Sequence, residues 1–201
     1  MKPITDLSQL DLNGVYTYAD YLTWQFEQAV ELIKGKILPM AAPNRKHQRI
    51  SRELTVLFHP LLQKSFCDFY LAPFDVRLLD KKKSLKANKD VYTVIQPDLC
   101  VICDTSKLDD KGCIGAPDLI VEILSPGNSK KEMKIKKELY EQSGVREYWV
   151  IDPERETVFR YNLITEDKYG GAEVFVSDDT MPSVIFPEMN LDLEEVFANA
   201  F

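Results

Sequence analysis

Between Ala116 and Asp152 the chain reads as strand, helix, strand, and that order leaves few folds open. "APDLIVEILSP" is an aliphatic run bounded by prolines, "KKEMKIKKELYEQS" repeats apolar residues at helical spacing and ends at Gly144, and "REYWVID" is again apolar and aromatic. A helix of this length between two apolar strands predicts a crossover joining parallel neighbours of one sheet.

The remaining segments fit around that unit. Upstream, "HQRISRELTVLFHPLLQK" sets Ile50, Leu54, Leu57, Phe58 and Leu61 at helical spacing, and "DFYLAPFDVRLL" and "TVIQPDLCVICD" read as strands of an antiparallel meander. Earlier still, "TYADYLTWQFEQ" reads as a short helix and "AVELIKGKILPM" as a hairpin turning at Lys34 and Gly35. Downstream, "TVFRYNL", "AEVFVS" and "SVIF" read as strands and "DLEEVFANAF" as a short acidic helix. The predicted fold is α+β with α/β character, a mixed β-sheet flanked by helices. We expect a single domain over residues 1–201, with an accessory helix and hairpin at 16–40 and a strand and helix extension at 172–201.

Composition narrows the function classes. A chain of 201 residues, 45% hydrophobic, can bury a full core, so disorder is excluded. No apolar run approaches the roughly 18 residues of a membrane helix, and the start lacks a signal core, so a soluble, cytoplasmic protein is expected. Four cysteines are too few for a disulfide scaffold, and reduced thiols are expected. Cys100 and Cys103 form a C-x-x-C whose members point to opposite faces of a strand, an arrangement unsuited to zinc. A net charge of -7 argues against a broad nucleic-acid surface, although lysines gather at 81–89 and 130–137.

One residue does not suit its strand. Glu122 sits among aliphatic neighbours, where an unpaired carboxylate is unfavourable by several kcal/mol or more unless it is protonated, paired with a cation or bound to a metal. On the following helix, Met133, Ile135, Leu139 and Tyr140 span an arc of roughly 160° that also contains Glu132 and Lys136. Lys136 is therefore a candidate counter-charge for Glu122; the alternative is that it reaches water at the helix edge or pairs with Glu132 at i,i+4. Asp98, directly after Pro97, opens the preceding strand, and antiparallel pairing would set it beside Glu122. Two such carboxylates with oxygen-only ligation suit Mg²⁺ or Mn²⁺ in a hydrolytic site, with Lys136 orienting water or stabilising charge. Asp98 is otherwise a turn acid capping a loop.

"QPDLCVICD", "GAPDLIVEILSP", "KKELYEQSGVREYWVIDP" and "ELIKGKILPMAAPNRKHQRIS" together resemble the Uma-two family of restriction-endonuclease-like proteins, within the PD-(D/E)XK nuclease superfamily. The resemblance covers residues 16–196 and implies a restriction-endonuclease-like core and a metal-dependent endonuclease hydrolysing phosphodiester bonds in DNA. It implies Asp98, Glu122 and Lys136 as catalytic residues, with Mg²⁺ or Mn²⁺ held by Asp98, Glu122 and the backbone carbonyl of Ile123. The signature lysine is expected two residues after Glu122, where Leu124 stands; Lys136 on the helix takes its place, with Glu132 four residues earlier where the family has Asp. Glu31 and His47 match a family acid and histidine and are supporting candidates. His47 also falls on the apolar helical arc, where it reads as a hydrogen-bonded core residue, with a role beside the metal site or substrate as the alternative. A homodimer on DNA is expected by analogy with nucleases that cut two strands. The competing reading is a catalytically inactive nucleic-acid-binding or assembly protein, with Glu122, Glu132 and Lys136 forming a buried polar network.

Overall fold

The computed structural model describes residues 3–79, 88–126 and 130–198, with the backbone alone of Lys89. Most of the lysine run at 81–89 and the Gly127-Asn128 end of the strand-stopping segment lie outside the described residues.

The helices are α1 (Tyr18–Tyr21), α2 (Arg45–Leu62), α3 (Lys130–Ser143) and α4 (Leu193–Phe197). The strands are β1 (Val30–Ile33), β2 (Lys36–Pro39), β3 (Asp68–Leu71), β4 (Val76–Arg77), β5 (Val94–Ile95), β6 (Leu99–Ile102), β7 (Leu108–Asp109), β8 (Gly112–Ile114), β9 (Leu119–Ile123), β10 (Glu147–Asp152), β11 (Thr157–Thr165), β12 (Lys168–Tyr169), β13 (Glu173–Val176), β14 (Thr180–Pro182) and β15 (Asn190–Asp192). The fold is mixed α+β, as predicted.

A mixed sheet forms the centre in the order β12-β11-β10-β9-β6-β3, with β13 also on β11. β3, β6 and β9 are the expected antiparallel meander, and β9 and β10 are parallel across α3. Both faces of the sheet are covered. Leu119, Val121, Trp149 and Ile151 pack toward Ile50, Leu54 and Phe58 of α2, while Ile120, Tyr148 and Val150 pack with Leu139 and Tyr140 of α3. Each fully buried side chain of this size contributes about 1.5–3 kcal/mol of apolar burial. The alternation also fixes register, since a slip of one residue would exchange the two faces.

The second sheet, in the order β2-β1-β5-β4-β8-β7, is not legible as a separate layer in the sequence. It arises because the two long predicted strands are each divided. The run from Asp68 breaks after Leu71, and the run from Val94 breaks at Gln96 to Asp98, so that each supplies one strand to each sheet. Pro73 and Pro97 lie in the breaks, where a residue without an N–H cannot continue a ladder. The β1–β2 hairpin turns as expected through Lys34 (φ 51°) and Gly35 (φ 81°), the left-handed pair of a two-residue hairpin.

Further departures have local causes. The helix predicted around Tyr18 lasts only four residues, set by Thr17 and Asp20, which form a capping box. Ile135 is 37% exposed at the edge of α3, and in α2 Leu62 is buried where Leu61 is exposed. Cys67 and Cys103 are joined in a disulfide, correcting the expectation of four reduced thiols. The antiparallel register that pairs Asp68 with Ile102 brings the two cysteines together at the next position. Cys100, on the opposite face from Cys103, remains a buried thiol beside Cys113 in the core.

"SVIF" is not a strand. Its backbone turns around Glu147, which is fully buried at the start of β10 and accepts from Ser183 Oγ (2.8 Å), Val184 N (3.0 Å), Ile185 N (3.0 Å) and Trp149 Nε1 (2.8 Å). This carboxylate anchors the β14–β15 hairpin to the central sheet. Glu147→Leu removes the acceptor for all four donors, and a buried donor without a partner costs about 1–3 kcal/mol, so the variant should lose at least about 3 kcal/mol in urea unfolding. A loss well under 1 kcal/mol, on the order of a surface substitution, would show that the anchor is dispensable.

Candidate active site

Asp98 stands where the chain passes from β5 to β6, and the pairing of Leu99 with Val121 places it opposite Glu122 at the next step. Its Oδ2 accepts from the backbone N–H of Ile123 at 2.7 Å, which ties the acid to β9. Its Oδ1 lies 3.0 Å from His47 Nε2, so α2 is attached from the other side. His47 is a core residue that also meets Asp98. The ring is buried on the apolar arc, and it touches the acid of the candidate site, while its Nδ1 has no hydrogen-bond partner among the described residues.

Glu122 meets α3. Lys136 Nζ lies 3.1 Å from Glu122 Oε1 and 3.0 Å from Glu31 Oε1, and the Tyr140 hydroxyl also donates to Glu122 Oε1. Lys136 and Tyr140 are four residues apart and both buried, so one helical face delivers both donors. The lysine predicted from the helical arc is therefore the counter-charge of Glu122, and it is not at the helix edge. Glu31, on the hairpin expected to be accessory, is almost wholly buried and is fixed by a bond from Gln96 N at 3.0 Å. The Gln96 side chain extends this line by donating to Asp75 Oδ1 (2.9 Å) and Tyr21 Oη (3.1 Å).

The electrostatics follow from crowding. Burial pushes Glu122 up to about 7; Lys136 opposes the rise, and the negative charges of Asp98 and Glu31 add to it. Burial alone would lower Lys136, but Glu122 and Glu31 outweigh it and raise the lysine, so the ammonium stays charged. Burial, then Glu122 and Glu31, raise the Tyr140 hydroxyl well above its ordinary value, which keeps it a donor.

These groups open onto a cleft of about 570 Å³, lined by Glu31, His47, Asp98, Glu122, Glu132 and Lys136 among others. Glu132 thus lines the same cleft as the acids. Asp118 holds the Cys103 N–H (2.8 Å) and Arg146 (3.3 Å), a structural role. Leu124 packs with the apolar cluster beneath α3, so the strand position of the signature lysine offers no cation. Two partners escape sequence reasoning. Tyr140 reads as core packing, although its spacing of four from Lys136 is a visible signal, whereas Gln96 carries none beyond its place before Pro97.

The residues suit a hard divalent cation. Among the described residues no three His, Cys, Asp or Glu side chains are placed to hold one ion. A cation here would take Asp98, Glu122, backbone oxygen and water, a mixture usual for Mg²⁺. Each carboxylate offers about four lone-pair sites and so retains capacity beyond its present bonds. Burial raises Glu122 first, Asp98 and Glu31 add to that rise, and a cation held here would offset the part that the two acids contribute.

Comparisons with known proteins give the chain its relatives. The crystal structure of a "putative nuclease belonging to DUF820" from Anabaena variabilis ATCC 29413 is similar to this chain, with a TM-score of 0.71 and 25% identity over 92% of this chain and 99% of that one. An uncharacterized protein of Synechocystis sp. (strain PCC 6803) is 28% identical over 123 residues, and the match spans 60% of each protein. The model of the Uma2 family, described as "Putative restriction endonuclease", matches residues 18–194. With nearly its whole length matched, this chain belongs to the Uma2 family.

Proposed function

We propose that the chain is a PD-(D/E)XK-type endonuclease that hydrolyses phosphodiester bonds in DNA with Mg²⁺ or Mn²⁺ held by Asp98, Glu122 and the Ile123 carbonyl. The observation that carries this reading is the buried Lys136 ammonium on Glu122 Oε1, supplied from α3 where the strand has Leu124. A bound ion would supply Lewis-acid polarisation of the phosphate and positive charge for the transition state.

The protein's own groups account for the rest. An ammonium has three donors; Lys136 gives two to Glu31 and Glu122, and the third can orient the attacking water or meet the charge developing on phosphate oxygens. Glu31 keeps the lysine charged and fixes its position. His47 and the Ile123 N–H hold Asp98 from two sides, so the acid is preorganised. Water adds to phosphorus as the bond to the leaving oxygen breaks, and the proton lost by the water balances the one gained by the leaving group.

One observation favours a non-catalytic reading. The network of Glu31, Lys136, Glu122 and Tyr140 is closed by bonds within the protein, as a purely structural cluster would be.

Cleavage of supercoiled plasmid DNA in Mg²⁺ or Mn²⁺ separates the two readings. Asp98→Asn and Glu122→Gln, both near-isosteric, should abolish cleavage while remaining folded. Lys136→Met should lower the rate by about 10²–10³-fold, the usual effect of deleting one preorganised donor. Undiminished cleavage by Asp98→Asn or Glu122→Gln would remove the site assignment, and an inactive wild type would favour the structural reading.

A second prediction concerns pH in the absence of divalent ions. Glu122 releases its proton at about 7 in the native state and near 4.5 when unfolded, so between these values the native state holds the extra proton. Stability should therefore fall as pH rises through this window and level off above it, by on the order of 3 kcal/mol in total. Denaturant titrations at several pH values should show this slope in the wild type and lose it in Glu122→Gln; identical slopes would contradict it.

A further inference from the structure

The two oxygens of Glu122 have different surroundings. Oε1 accepts both from Lys136 Nζ and from the Tyr140 hydroxyl, and these donors project from one face of α3. A carboxylate's terminal torsion is broad when nothing restrains it. Two donors on the same oxygen fix that torsion and aim the second oxygen away from them. Both donors are themselves held: Lys136 by Glu31, and the fully buried Tyr140 ring by Tyr148, edge to face at 4.9 Å. Tyr148 also lines the cleft, so the support runs continuously from the cleft wall to the carboxylate.

We propose that Tyr140 is a positioning residue which, together with Lys136, reserves Oε1 of Glu122 for hydrogen bonds and leaves Oε2 to a divalent cation. This rests on the metal-dependent reading given above. The hydroxyl acts through Glu122 and does not itself touch the ion or the scissile phosphate. Partners of this kind, which orient a ligating side chain, typically change metal affinity by 10–100-fold when removed.

Calorimetric titration of wild type and Tyr140→Phe with Mn²⁺ alone tests the proposal, with circular dichroism and Tm recorded for each. Phenylalanine keeps the ring against Tyr148 and removes only the hydroxyl. Tyr140→Met, which fills the space without a donor, is the second variant, and either one that folds is sufficient. The Mn²⁺ Kd should rise about 10–100-fold in the folded variants. A hydroxyl with a merely structural role would lower Tm and leave the Mn²⁺ affinity unchanged, and that result overturns the proposal. Absence of Mn²⁺ binding by the wild type is a separate result: it removes the metal-dependent reading first and this inference with it.

Discussion

The Lys136 ammonium, shared between Glu31 and Glu122, is the interaction on which the rest of the site depends. It joins three parts of the chain that are distant in sequence: the N-terminal hairpin, the central strand β9 and helix α3. Burying three ions is unfavourable by several kcal/mol each, and their mutual attraction offsets this only where the remaining hydrogen-bonding capacity is used. Here it is used. Gln96 N donates to Glu31 and the Tyr140 hydroxyl to Glu122, and the line continues from the Gln96 side chain into Asp75 and Tyr21. These charges thus also set the two sheets and α3 in relation to one another.

The same economy governs Asp98. The chain changes sheets at Gln96 to Asp98, and Pro97 prevents a continuous ladder there. That break leaves the first residue after the proline free of strand pairing on one side, where its carboxylate can take the Ile123 N–H and His47. From the crossing between sheets it reaches the cleft that Glu122 of β9 and Glu31 of β1 also line.

The central fold was legible because its signals are local. The β9–α3–β10 crossover, the β1–β2 turn and the amphipathic α2 follow from periodicity and turn chemistry over short windows. Lys136 could be singled out from four neighbouring lysines because helical geometry alone places it on the sheet-facing arc. Asp98 beside Glu122 followed from assuming antiparallel pairing. Contacts that bridge long separations were not legible. Glu31 lies 105 residues from Lys136, and although the family resemblance marks this acid, nothing in the spacing of the hairpin announces that it meets that lysine. The second sheet required the two long strands to divide at prolines, which pattern alone reads as brief irregularities. "SVIF" has strand composition, but its amides serve the Glu147 carboxylate, a partner identified only by the tertiary structure. The Cys67–Cys103 link likewise depends on strand register and not on cysteine count.

Asp98 and Glu122 are proposed to form one divalent-cation site with Lys136 as its fixed charge. A crystal of the wild-type protein soaked in millimolar Mn²⁺, with diffraction recorded at the manganese edge, addresses this directly. An anomalous peak is expected between the Asp98 and Glu122 carboxylates, at roughly 2.0–2.3 Å from an oxygen of each, with Lys136 still bonded to Glu31. A well-diffracting crystal with no peak there, or with manganese bound only elsewhere on the surface, would contradict it and leave the buried carboxylates and lysine as a structural network.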